Sequence, residues 1–140
     1  MLYVPENFNA KEKAVYLKAL VYVFNLSNQN KIKREYLLLQ LQKANISQEK
    51  YEAVKSACKI ETLIDNIRGL DNLRAQRFII REMVMLALAD QDVTDDEIRD
   101  IYQIAESSGI SSEKVGDFFI WAAKGIEWQL EGIQLVEEDL

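Results

Sequence analysis

Apolar residues recur along this chain at the three- and four-residue steps of a helix, and hardly anywhere in the alternation of a strand. Asn9-Ala10-Lys11-Glu12 reads as a capping box, with Asn9 accepting from an early backbone N–H and Glu12 reaching back. The helix it opens carries Val15, Leu17, Leu20, Val21, Val23 and Phe24 and is expected to run to about Leu26. Ser27-Asn28-Gln29-Asn30 is a polar turn, and a second helix follows with Leu37, Leu38 and Leu41. Ser47 caps a third, with Glu49 placed to complement its dipole. A shorter piece near Ile60–Ile67 stops at Gly69. From Asp71 a long helix runs through Phe78, Ile79, Met83, Leu86 and Ala87, apolar over so broad an arc that it belongs at the centre. The fold class is therefore all-α: a single compact bundle of seven to eight helices spanning 1–140.

The second half restates the first. A long helix, a turn, a second helix and an Ile-Ser-x-Glu-Lys start occur in both, and that last motif recurs at a spacing of 64 residues, at Ile46–Lys50 and Ile110–Lys114. Asn28 and Asn30 fall 62 residues before Asp90 and Asp92. This points to a duplicated helical unit with halves at about 9–69 and 71–138. Small gaps are needed to align the halves. The first copy carries amides where the second carries carboxylates.

Composition narrows the chemistry. The chain has no histidine, which removes the usual general base, the His-activated nucleophiles and the commonest transition-metal ligand. Its glycines are scattered and form no phosphate loop. The expectation is a protein that is not an enzyme, with no catalytic residues. One cysteine, Cys58, excludes an internal disulfide and suits a reducing compartment. No secretion signal opens the chain and no apolar run is long enough for a transmembrane segment, so the expected location is cytoplasmic. Residues 1–70 carry 11 Lys+Arg against 7 Asp+Glu, a net +4; residues 71–140 carry 6 against 16, a net −10. An acidic half disfavours nucleic acid as a partner. The lysines of the first half, Lys33 among them, read as a solvated face. Either the two halves attract each other, or the acidic half meets a cation or a basic partner.

The densest chemistry lies in Leu88–Ile98. Thr94-Asp95-Asp96-Glu97 is itself a capping box, and acids in a first helical turn gain roughly 0.3–1 kcal/mol each from the dipole. Asp90 and Asp92 precede the cap and are not explained by it. Hard cations take several carboxylate and carbonyl oxygens, and Asp90, Asp92, Thr94 and Glu97 offer them. As an EF-hand the loop fails: Asp95 stands where the turn glycine belongs and Ile101 where the bidentate glutamate belongs. Two readings stay open, a noncanonical site for a divalent cation (Ca²⁺ or Mg²⁺) on Asp90, Asp92 and Glu97, and a plain helix cap.

The run Met83-Val84-Met85-Leu86-Ala87-Leu88-Ala89-Asp90-x-Asp92-Val93-x-x-x-Glu97-Ile98, followed by Ile101, Ile104, Gly109 and Ile110, resembles the TerB-like family, clearest over about residues 73–124. That family includes tellurite-resistance proteins and a related domain of membrane-anchored co-chaperones. The resemblance implies an all-helical bundle in a stress-response context, with metal binding by the acidic turn falling here on Asp90, Asp92 and Glu97. Gln91 stands where the family usually has glycine, so a turn that needs positive φ is strained at that residue.

Two further patterns complete the reading. Arg74, Arg77 and Arg81 form one stripe of the long helix and are expected to pair with carboxylates of the acidic half; an anion-binding stripe is the alternative. Trp121, Trp128 and Leu135 are spaced by seven, as are Gly125 and Gly132. If Ser111–Glu137 is nearly continuous helix, an aromatic stripe lies beside a small-residue groove; if Gly125 breaks it, the stripe divides. Packing within the bundle accounts for such a stripe, and so does contact with a protein partner or a homodimer. The expected function is a non-enzymatic binding module for a divalent cation, with a protein-interaction or homo-oligomerisation module as the alternative.

Overall fold

The computed structural model describes residues 7–56 and 58–139, which form seven helices and no strand. They are α1 (Ala10–Leu26), α2 (Lys31–Lys43), α3 (Gln48–Val54), α4 (Ile60–Arg68), α5 (Leu73–Leu88), α6 (Asp95–Ser107) and α7 (Ser112–Glu137). Among the described residues no helix is long and apolar enough to cross a membrane.

Side-chain oxygens set most of the starts. Asn9 accepts from the Glu12 N–H while the Glu12 carboxylate accepts from the Asn9 N–H, closing the expected box. Asn30, Ser47, Asn72, Thr94 and Ser111 cap α2, α3, α5, α6 and α7. Each such cap is worth roughly 1 kcal/mol. α2 and α6 stop in the same way. Asn45 (φ 57) and Gly109 (φ 88) adopt the left-handed conformation, and the next N–H, on Ile46 or Ile110, reaches back 2.9 Å to the carbonyl of Leu41 or Ala105. These are Schellman stops, 64 residues apart. The turns before α2 and α6 match as well, with left-handed residues at Gln29 (φ 51) and Gln91 (φ 64).

The core lies between α1 and α5, each of which buries nine residues. α2, α6 and α7 also pack on α5, while α4 bridges α1 and α6 and α3 rests on α1. At one end of the central pair Phe8, Tyr16 and Phe78 meet edge to face with centroids 5.5–5.8 Å apart. Burying a side chain such as Leu20 or Ile79 contributes roughly 1.5–3 kcal/mol. The breadth of apolar surface on α5 thus has its expected cause.

Candidate functional site

The acidic turn follows α5 and leads into α6. The Asp90 carboxylate folds back on its own chain, with Oδ1 accepting the Asp92 N–H at 3.0 Å. Its Oδ2 accepts the side-chain amide of Asn30, from the turn before α2. The Glu97 Oε1 accepts both the N–H and the hydroxyl of Thr94 at 3.1 Å, while the Thr94 hydroxyl oxygen accepts the Glu97 N–H; the capping box is complete.

A cation sits among these groups, and the chain supplies it. Lys33, on the first turn of α2, is fully buried, and its Nζ lies 3.2 and 3.1 Å from the two Glu97 oxygens. It is 3.5 Å from Asp90 Oδ1 and 3.4 Å from the Asp92 carbonyl. The Glu97 side chain is 0% exposed and that of Asp90 6%. Withdrawing such ions from water costs several kcal/mol each, a cost offset only by close pairing and full hydrogen bonding. Both conditions hold here. Burial by itself raises the Asp90 carboxyl, but the Asp92 N–H, the Asn30 amide and the Lys33 ammonium prevail and hold it below its ordinary value of 3.8.

Of the three carboxylates read as metal ligands, the fold therefore brings Asp90 and Glu97 together around Lys33. The Asp92 side chain is exposed and only its carbonyl reaches the cluster. Among the described residues no group of three or more Asp, Glu or Cys side chains is placed to hold a metal ion. Gln91 does adopt positive φ, so the strained position is real.

Lys33 is the residue that reading its half as a solvated face missed. Two signals were present. A base in the first turn of a helix opposes the dipole, and Lys33 occupies the position that Glu97 holds in α6, three residues after the cap. It also lies 64 residues from Glu97, the spacing at which the Ile-Ser-x-Glu-Lys motif recurs.

The second candidate is α7, which is continuous through Gly125. Val115 and Ala122 are buried, and Phe119 stacks on Tyr102 at 5.8 Å. Beyond Ala122 the helix leaves the body: from Ala123 to Glu137 every residue except Ile126 is exposed. These 15 residues extend about 22 Å. Large apolar side chains persist among them, with Trp128 and Val136 75% exposed and Leu135 68%. Steps of seven, four and seven put Val115, Ala122, Ile126 and Ile133 on one face, so the row that packs inward continues past the point where the body ends. Trp121, Trp128 and Leu135 form a second row. Gly125 and Gly132 lie between the rows, and no atom approaches within 4 Å of where a Cβ would stand.

Among the described residues, the arginine stripe makes its expected pairing with an acid of the second half at Arg81 alone. Arg81 pairs with its neighbour Glu82 and lies over Phe78 and Trp121, its guanidinium carbon 4.7 and 5.0 Å from the ring centroids. Arg74 and Arg77 are exposed, and no ion pair among the described residues includes them. Apart from Asp71 and Glu82, the acids of the second half lie elsewhere, in the turn before α6, on α6, and along α7 and just past it. No family model, curated protein or solved structure matches the chain.

Proposed function

We propose that this chain is a non-enzymatic, TerB-like helical bundle, built from a duplicated unit, that works as a protein-interaction module through the projecting half of α7. One observation carries the reading: the α7 row that is buried at Val115 and Ala122 stays apolar at Ile126 and Ile133, where the body no longer covers it. Large contiguous apolar patches on a soluble surface mark interaction sites. Tryptophans, such as the exposed Trp128, are among the side chains that most often anchor them.

On this reading the acidic turn is an internal clasp. Lys33 fills the place a divalent cation would take and ties the first half of the chain to the second. Matched caps, matched Schellman stops and matched left-handed turns, all 62–64 residues apart, support the duplication. Within it, Lys33 and Glu97 are equivalent positions of opposite charge.

The test is a photo-activatable cross-linker placed at Trp128, and separately at exposed Glu113 as a control, in the cells that express the protein. Discrete protein adducts from position 128, lost when Leu135→Asp is added, support the reading. No adduct from position 128 beyond those seen at 113 overturns it.

A further inference from the structure

The projecting helix raises the question of what covers it, and the same molecule carries a surface of complementary character. Arg74 and Arg77 are exposed on α5 beside Leu73, itself 52% exposed. Arg81 continues the stripe to the foot of the α7 tail, where it lies over Trp121. The tail has the opposite charge. Helical spacing places Glu127 and Glu131 on the rim of the Trp128–Leu135 row, and among residues 123–137 only Lys124 is basic.

We propose that the occupant is a second copy of this chain, in a two-fold dimer in which each α7 tail lies across the partner's Arg74–Arg77–Arg81 stripe. This inference rests on the reading of α7 as an interaction surface. A two-fold interface must be self-complementary, since the same patch faces itself. An arginine stripe and an acidic apolar tail that adjoin through Arg81 and Trp121 meet that condition, because the axis sets tail on stripe twice in one continuous contact. Arginine stems and guanidinium planes cover tryptophan well, so Trp128 gains both apolar contact and cation–π attraction. The alternative of tail against tail brings two acidic rims together and leaves both arginine stripes open. Size points the same way. A stable interface covers roughly 800 Å² per partner, and a tail with a stripe from each copy offers more of that area than a tail alone.

The test is sedimentation of the full chain over a concentration series, with two charge-reversed variants whose changes all lie on exposed side chains. Arg74→Glu/Arg77→Glu and Glu127→Lys/Glu131→Lys are each expected to raise the dimer dissociation constant about tenfold or more, with helical content unchanged. An equimolar mixture of the two variants is expected to recover a dimer of wild-type affinity, because each acidic tail then meets a basic stripe and each basic tail an acidic one. A dimer that survives Arg74→Glu/Arg77→Glu overturns the proposal, as does a mixture that stays monomeric. A wild-type chain that is monomeric throughout also overturns it. In that case adducts from position 128 to a different protein would leave the interaction-module reading standing, and their absence would remove both.

Discussion

The acidic turn and the projecting half of α7 are the two most unusual regions of the molecule, and they are unusual in opposite ways. The turn gathers Asp90, Asp92 and Glu97, and the fold meets the charge of Asp90 and Glu97 from within: a fully buried lysine, the Asn30 amide and two backbone N–H groups donate to their carboxylates. The tail collects apolar side chains, and within the described residues nothing closes it. Read from sequence, both were open: the turn as an ion site or a helix cap, the α7 stripe as packing within the bundle or contact with a partner. Once folded, the turn encloses an internal cation and the tail is left exposed. The difference teaches that convergent charge marks a site only when its counter-charge is missing, and that an amphipathic row marks a core only as far as the core extends.

The sharpest way to break this comparison is to remove the internal cation. Lys33→Met keeps the stem and deletes the charge, leaving Glu97 and Asp90 facing each other without water. The expected loss is about 3–5 kcal/mol in urea unfolding, a large part of the stability of a domain this size. Adding Glu97→Leu removes the stranded charge and is expected to restore most of it. A loss below about 1 kcal/mol would mean that the ammonium is not confined as described. With Lys33 present, Ca²⁺ and Mg²⁺ are expected to leave the wild-type Tm unchanged; a rise abolished by Asp90→Asn would return the turn to the status of an ion site.

A smaller effect comes from Asp90. Its carboxyl is held below 3.8, so the charged form is favoured by folding. The stability this confers is present at neutral pH and is lost as pH falls through the folded-state value. Asp90→Asn is expected to cost roughly 1–3 kcal/mol near pH 7, the cost of charge-assisted hydrogen bonds. The gap from wild type should narrow as pH drops below 3.8. A gap independent of pH would show that the carboxylate charge contributes nothing.

How much of this was legible beforehand depended on the kind of interaction. Caps and stops are local, so Asn9 with Glu12, Thr94 with Glu97, and Ser47 could be read from short patterns. The left-handed stop at Asn45 carried no glycine to mark it. The pairing of Lys33 with Glu97 is long-range: two helices, 64 residues apart, meet at their first turns. A lysine is charged and usually solvated, so only its awkward place at a helix start and its repeat spacing from Glu97 distinguished it. The exposure of Trp128 was equally hidden, because periodicity shows which face of α7 is apolar and not where the body ends. The arginine stripe was visible, but among the described residues only Arg81, with Glu82, makes the expected pairing with an acid of the second half.

The smallest effect concerns the turn backbone. Gln91 sits at φ 64, where a side chain costs roughly 1–2 kcal/mol and glycine almost nothing. Gln91→Gly is expected to stabilise by up to about 1 kcal/mol after the entropy of the unfolded glycine is deducted. The clasp should keep its geometry. Destabilisation would mean that the Gln91 side chain holds the turn through a contact of its own.

The most direct measurement is amide hydrogen exchange across the whole chain, with wild type and Leu135→Asp compared at the same high protein concentration. The account predicts slow exchange in both at the Asp92, Thr94 and Glu97 amides, which donate to Asp90, to Glu97 and to the Thr94 hydroxyl. It predicts protection of residues 124–137 in wild type and its loss in the variant, since an uncovered helix end of this length frays. Equal exchange of the tail in both proteins, or deprotection of the acidic turn by the distant substitution, would contradict it.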